Sequence, residues 1–380
     1  MMLGSSSISP VRLASNLVLG FTCTLFPVAG SISYSQEVAS QKSKQPSDAA
    51  SPEEIASRAL DYLRKEGQRW IDRRECVSCH QIPAMVWSLN VAKQNGLPVE
   101  ANEVDELAEW STDYLHFVET KDRAEAECDD VLQKNTDTMA ALLLALPQYG
   151  GKEKEVEQEQ PAAESCDAEK APKPGTNWRK QFTASLIQNQ NEDGSWDPKG
   201  QLPSQKRDPE ETRRASTLWI TIALLQEGIP QNDFRFGAAL DLIDNTTQTD
   251  WEAESAEWWA ARLLLSRELG QTSQQKRIRD ALVSKQQDDG GWGWLLADES
   301  DALATGLVLY ALKNTGAEDD SSESVQDAIR SATKFLAKTQ QANGSWKVPG
   351  TKKNSRNRSV PTSNYWGTAW AVIGLLAEPE

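Results

Sequence analysis

The stretch that decides the fold runs from Leu186 to Trp196 and reads LIQNQNEDGSW. Its pattern, Leu-x3-Gln-x3-Gly-x-Trp, returns as LVSKQQDDGGW at 282–292 and as LAKTQQANGSW at 336–346. The Leu and the Gln lie one turn apart on one face of a helix. The Gly ends that helix in a left-handed conformation, and the Trp packs back over the helix end while the Gln amide bonds exposed carbonyls or the indole. Each stretch therefore predicts an amphipathic helix and a tight turn.

Each unit precedes an apolar, alanine-rich helix, predicted at 216–225, 301–312 and 363–376, with Ser or Thr at or just before its start as N-cap. Weaker copies pair 241–251 with a helix at 255–265, 63–70 with the helix of Trp87 and Leu89, and 103–117 with a helix at 136–146. These units give about six helical hairpins and no convincing strand. The sequence therefore predicts an all-α chain with a polar, disordered linker at 31–52, one domain at 53–380 and a charged insertion at 150–176.

These units, with following helices such as NYWGTAW at 364–370, resemble the prenyltransferase and squalene oxidase repeats. Such repeats occur in squalene–hopene cyclases and in protein prenyltransferase β subunits. The resemblance covers most of residues 53–380 and is most specific from residue 180 onward. It implies a single α/α toroid, in which inner helices line a cavity and outer helices wrap around them.

The resemblance does not extend to the catalytic residues of these families. Class II terpene cyclases protonate their substrate with the middle acid of an Asp-x-Asp-Asp motif. Here Asp298-Glu299-Ser300-Asp301 places a serine at that position, and KNTD at 134–137 keeps only Asp137. A hydroxyl cannot protonate an alkene, and helix capping explains both groups of acids. The zinc site of prenyltransferases needs Asp, Cys and His, and His116 has no such setting. We therefore expect neither activity, and whether the chain is an enzyme stays open.

A separate motif, Cys76-Val77-Ser78-Cys79-His80, is typical of covalent c-type haem attachment. The thiols of Cys76 and Cys79 add across the haem vinyl groups, and His80, one of 2 histidines in the chain, becomes the proximal iron ligand. The alternatives are a redox-active thiol pair, part of a zinc site and a structural disulfide. The motif predicts haem c as the cofactor.

The sixth iron ligand is predicted to be Met139, which lies one turn into the next inner helix. His116 and an open coordination position are the alternatives. The haem loop is expected on the same rim of the toroid as a set of basic residues that would neutralise haem propionates or dock an acidic partner. This set comprises Lys206, Arg207, Arg213, Arg214, Lys347, Lys352, Lys353, Arg356 and Arg358.

The first 30 residues predict a secretory signal peptide, because Arg12 precedes an apolar stretch at 13–28 that ends in small residues. The expected location is therefore secreted or periplasmic, where Cys128 and Cys166 either pair or remain separate thiols. The net charge of −16, with no long basic block, argues against nucleic acid as a partner. No other stretch is long and apolar enough to span a membrane.

Together these features predict a secreted or periplasmic c-type haem protein on a squalene-cyclase-like toroid, which transfers electrons with a redox protein partner or senses redox state. The alternative function is the binding or transformation of a squalene- or hopanoid-type terpenoid in the toroid cavity. A scaffold that binds a partner through its rim is a third possibility. The tryptophans expected to line or support the cavity are Trp219, Trp258, Trp259, Trp366 and Trp370.

Overall fold

The structure is a computed structural model that describes residues 50–77, 81–147, 177–199, 204–244, 252–315, 323–355 and 358–378. These residues belong to one compact unit, Ser47–Glu380. The predicted signal peptide, most of the polar linker and the charged insertion lie outside the described residues, as do Cys79, His80 and Cys166.

All regular secondary structure in the described ranges is helical, and the strand-like pairing there consists of isolated bridges. The predicted all-α class is therefore confirmed. None of the described helices has both the length and the apolar character needed to cross a bilayer. The helices are α1 (Pro52–Arg74), α2 (Gln81–Gln94), α3 (Glu103–Thr112), α4 (Cys128–Gln133), α5 (Thr136–Ala145), α6 (Trp178–Gln188), α7 (Pro209–Gln226), α8 (Phe236–Asp244), α9 (Ala256–Glu268), α10 (Thr272–Ser284), α11 (Ala302–Asn314), α12 (Glu323–Thr339) and α13 (Pro361–Leu376).

Six inner helices form a closed ring. In chain order they are α2, α5, α7, α9, α11 and α13; each packs against the next, and α13 packs against α2. The remaining helices lie outside this ring. Helices α3, α6, α8, α10 and α12 each contact the inner helix that precedes them in the chain, whereas α1 contacts α2 and α4 contacts α5. The inner helices are buried on most sides, which explains their apolar, alanine-rich sequences. The chain thus folds as the α/α toroid that its repeats predicted.

The repeated Leu, Gln and Trp side chains make the same contacts in each strong unit. The indole N–H of the Trp donates to the carbonyl oxygen of the Leu, at 2.7–2.9 Å. The backbone N–H of the same Trp donates to a threonine hydroxyl on the following inner helix, at 3.1–3.2 Å. Because the Trp is fully buried, these bonds join an outer helix to its inner partner. The three Trp–Thr pairs are Trp196 with Thr217, Trp292 with Thr305 and Trp346 with Thr368.

The glutamine of the unit links neighbouring outer helices. Gln286 Nε2 donates to Gly290 O at 2.8 Å and to Ala328 O on α12 at 2.9 Å. In the last unit, Gln340 Nε2 donates to Ile55 O on α1 at 2.9 Å, so the same contact connects the last outer helix to the first. The sequence predicted that the Gln amide would reach a carbonyl, but not that this carbonyl would belong to the next repeat.

The sequence suggested that the glycine of the unit ends the outer helix, but in the structure the helix ends before it. Helix α10 ends at Ser284, and Gly290 lies in the turn that follows it, with φ +91°. A Cβ at this position would lie 2.6 Å from Ser331 O on α12. The glycine is therefore needed for its left-handed backbone and for close approach to the neighbouring outer helix.

The inner helix predicted to start at Ser216 begins two turns earlier, at Pro209. Asp208 is its N-cap and accepts from Glu210 N at 2.8 Å. Proline in the first turn after an Asp cap is a helix-start signal. The polar residues after it obscured this signal, although Glu211 and Arg214 are buried in the toroid.

Candidate functional site

A cavity opens within the ring of inner helices, with a volume of about 730 Å³ that includes the open solvent at its mouth. Its lining residues come from α2, α5, α7, α9 and α13, with one residue from the segment before α7. The lining residues are Pro83, Ala84, Trp87, Asp137, Ala141, Leu144, Arg207, Ser216, Trp219, Glu257, Trp366, Trp370 and Ile373.

Three tryptophans from three inner helices form a continuous aromatic wall. The ring centroid of Trp87 lies 5.2 Å from that of Trp370 and 6.5 Å from that of Trp219, and the last two are 5.8 Å apart. Tyr310 supports this wall with edge-on contacts to Trp87 and Trp370. The wall offers flat, polarisable surface to a ligand with an apolar or cationic face.

Asp137 brings a carboxyl group to the cavity from the first turn of α5. One carboxylate oxygen accepts from Lys199 N at 2.9 Å, and Ser216 on α7 bonds the same carboxyl group. Burial raises the pKa of Asp137, and the Glu257 carboxylate adds to the rise, although the bonds from Ser216 and Lys199 oppose it. Asp137 forms no ion pair within the described residues. The site therefore holds a carboxyl group whose environment favours the protonated form more than water does.

Glu257 brings a second carboxyl group, from the first turn of α9, and this one is paired. Its Oε2 lies 2.6 Å from Arg207 Nη1, and both side chains are almost fully buried. Its Oε1 accepts from the indole N–H of Trp219 at 3.1 Å. Arg207 also donates to Thr212 Oγ1 and Ser255 Oγ, each at 3.1 Å. Arg207 is thus committed to a buried network and is not a mobile cation at the rim.

Other members of the expected basic rim are also neutralised by neighbours. Lys206 is buried and pairs with Asp298. Arg213 pairs with Asp193 at 2.6 Å and with Glu210 at 2.7 Å. These cations hold loops and helix starts together. Lys347, Lys353 and Arg358, by contrast, are exposed. Arg356 lies outside the described residues.

The described part of the haem motif is Cys76 and Val77, directly after α1. The Val77 N–H donates to His116 O at 2.6 Å, and the Trp70 indole donates to Cys76 O at 2.9 Å. The imidazole of His116 stacks on Trp110, with centroids 4.4 Å apart, and its Nδ1 lies 2.7 Å from Trp110 O. This segment is therefore packed on the 114–117 turn by the backbone of His116.

Met139, the predicted sixth iron ligand, is fully buried on α5 and does not line the cavity. Because Cys79 and His80 lie outside the described residues, the ligand roles predicted for Cys76, Cys79, His80 and Met139 stay predictions.

The fold is shared with solved structures of low sequence identity. A possible member of the GH105 family from Salmonella enterica serovar Paratyphi A matches with a TM-score of 0.51 and 13% identity, over 88% of this chain and 96% of that one. An unsaturated glucuronyl hydrolase from Streptococcus agalactiae matches with a TM-score of 0.49 and 11% identity, over 87% and 93%. A type II terpene cyclase from Scytonema matches with a TM-score of 0.46 and 14% identity, over 86% and 97%. No protein-family model and no curated protein sequence matches the chain. The likeness establishes the α/α toroid as the class of fold.

The expected function in haem-based electron transfer or redox sensing is wrong. The solved structure that shares the fold with a TM-score of 0.51 is described as a possible member of the GH105 family and not as a haem protein. In the part of the chain that the structure describes, no group of three or more His, Cys, Asp or Glu side chains could hold a metal ion. The same findings contradict the description of the chain as a haem-binding, iron-containing cytochrome c that transfers electrons.

Sequence reasoning identified part of this cavity and missed the rest. Of the five tryptophans expected there, Trp219, Trp366 and Trp370 line it, whereas Trp258 and Trp259 do not. It missed Trp87 and Glu257, and it interpreted Asp137 as a capping residue. The available signal was an acid at the second position of an inner helix, which Asp137 and Glu257 share.

Proposed function

We propose that the toroid cavity binds a small amphiphilic molecule, with its apolar face on the tryptophan wall and its polar group at Asp137. The observation that carries this proposal is a carboxyl group that has no ion-pair partner among the described residues and opens into a cavity lined by four tryptophans. Deep apolar walls with a few convergent polar groups are the usual design of ligand sites.

The chemistry that this arrangement supports is proton transfer at Asp137. Ser216 and the Lys199 N–H hold the carboxyl group in place, while burial raises its pKa. Glu257 pairs with Arg207 and accepts a hydrogen bond from the indole of Trp219. The two acids would thus have different roles: Asp137 would contact the ligand, and Glu257 would hold the tryptophan wall in position.

We infer in addition that the repeats are related to the prenyltransferase and squalene oxidase repeats, which the recurring Gln and Trp contacts support. Fold and repeat carry no substrate with them. Secretion or export to the periplasm is likewise a proposal. Its support is the N-terminal sequence and the disulfide of Cys128, whose partner lies outside the described residues.

The binding proposal is tested by filling the cavity. Ala141 lines it, and Ala141→Phe would occupy part of the ligand space. Cyclohexanol titrated into the wild type should change the tryptophan fluorescence with a saturable midpoint, and Ala141→Phe should weaken this response at least about tenfold. Ala101→Phe, at an exposed position, serves as the matched control and should respond like the wild type. An equal response in all three proteins would contradict the proposal.

A further inference from the structure

We propose that the molecule bound in the cavity is an organic cation, with a quaternary ammonium or protonated amine group placed between Asp137 and the tryptophan wall. This inference rests on the proposed function, because it names the class of ligand for the same cavity. Three observations support it: the balance of charges, an incompletely satisfied carboxylate and the aromatic wall.

The balance of charges around the cavity leaves Asp137 without a counter-ion. Glu257 pairs with Arg207, and Arg207 also reaches Ser255 Oγ at 3.1 Å. Ser255 in turn donates its backbone N–H to Glu211 Oε1 at 2.8 Å, and Glu211 is 1% exposed. Arg207 thus serves two buried carboxylates, Glu257 directly and Glu211 through Ser255. Among the described residues, no cation forms an ion pair with Asp137, and buried charges are normally paired.

The second carboxylate at the cavity is also incompletely satisfied. Glu257 is 7% exposed, and its Oε2 accepts no hydrogen bond in the described structure, although Arg207 Nη1 lies 2.6 Å away. The ion pair therefore acts through charge, and the lone pairs of this oxygen remain available. A ligand carrying positive charge would interact with Glu257 as well as with Asp137, whereas an anionic ligand would be repelled by both.

The tryptophan wall favours the same class of ligand. Trp87, Trp219 and Trp370 contact one another, and Trp366 adds a fourth indole to the lining. The face of an indole carries negative charge density and attracts cations within about 6 Å, more strongly when water is excluded. An apolar molecule would use the wall but leave Asp137 uncompensated. An ammonium group with methyl or methylene substituents satisfies both requirements.

The test compares two probes of nearly equal shape that differ in charge. Choline and 3,3-dimethylbutan-1-ol are titrated separately into the wild-type chain by isothermal titration calorimetry at pH 7.5. We expect choline to bind at least about tenfold more tightly than the neutral alcohol. Equal affinities, or tighter binding of the alcohol, would contradict the proposal that the ligand is a cation. The proposal that the cavity binds a small molecule would still stand. Binding of neither probe, together with no response to cyclohexanol, would remove the proposed function itself.

Variants of Asp137 and Trp366 then test whether these residues determine the affinity for choline. Asp137→Asn should lower the affinity for choline about tenfold or more and change that for the neutral alcohol much less, because Asn keeps a polar group but not the negative charge. Trp366→Leu should weaken choline binding more than Trp366→Phe does, because only the phenyl ring keeps a π face. Asp280→Asn is the matched control, since Asp280 is exposed and pairs with Lys276 on α10. Unchanged choline affinity in folded Asp137→Asn, judged by its circular dichroism and melting curve, would contradict the assignment.

Discussion

Replacing Gly290 with alanine separates the two reasons for a glycine in the repeat, backbone conformation and close approach. Gly290 has φ +91°, and an added Cβ would lie 2.6 Å from Ser331 O and 2.9 Å from Ser331 C. Gly228, after α7, has φ +73° and no atom within 4 Å of an added Cβ. Gly228→Ala therefore isolates the cost of the left-handed backbone, about 1–2 kcal/mol. It is the matched control for Gly290→Ala.

Gly290→Ala carries the same backbone cost and further costs from the contact with α12. The Cβ would be about 1 Å closer to Ser331 O than ordinary van der Waals separation allows. Because a backbone oxygen cannot turn away, α12 must shift, at about 1–3 kcal/mol. The shift also weakens the bond from Gln286 Nε2 to Ala328 O, now 2.9 Å long, at about 1 kcal/mol. We expect Gly290→Ala to lower the free energy of unfolding by about 3–6 kcal/mol.

The assay is equilibrium unfolding in guanidinium chloride, followed by far-ultraviolet circular dichroism, for the wild type and both variants. The informative quantity is the difference between the variants, expected to be about 2–4 kcal/mol. If Gly290→Ala and Gly228→Ala lose the same amount, the conserved geometry of the three units depends on backbone conformation alone. The account of the glycine as the point of contact between outer helices would then be refuted.

Two further predictions concern buried charges near the mouth of the ring. Burial raises the pKa of Asp301 to about 6. The folded state therefore binds a proton more tightly than the unfolded state, so this group's stabilising contribution of about 3 kcal/mol is full below pH 4 and is lost as the pH rises through 6. In Asp301→Asn, the free energy of unfolding should change less between pH 4 and pH 7 than it does in the wild type. An equal change in both proteins would contradict this prediction. Arg207→Gln leaves Glu257 buried without its cation and should cost about 3–5 kcal/mol. The double variant with Glu257→Gln should recover part of this loss in the same unfolding assay, and strict additivity would argue against the pairing.

The fold could be predicted from the sequence because its determinants are local and repeated. The Leu, Gln, Gly and Trp of each unit lie within eleven residues, and their contacts differ little between 186–196, 282–292 and 336–346. The start of a helix was harder to predict where polar residues follow the start signal, as after Pro209. What local pattern could not supply was the partner of each Gln, because it belongs to the next repeat.

The site was harder to predict because its residues come from different hairpins. Trp87, Asp137 and Glu257 lie on α2, α5 and α9, and only closure of the ring brings them to one cavity. Seen along the chain, each acid is an ordinary residue of a helix first turn. The haem prediction was wrong as a statement of function because a motif of five residues carries no information about the cavity that the other hairpins form.

The join between the last and the first hairpins affects how the molecule is made. Gln340 bonds Ile55 across 285 positions, and α13 packs on both α1 and α2. A growing polypeptide cannot complete this join until its final helices have emerged from the ribosome, and contacts of such long range slow folding. Until then the flanks of α2 and α11 remain without their covering helix, so nascent molecules need protection from aggregation during synthesis.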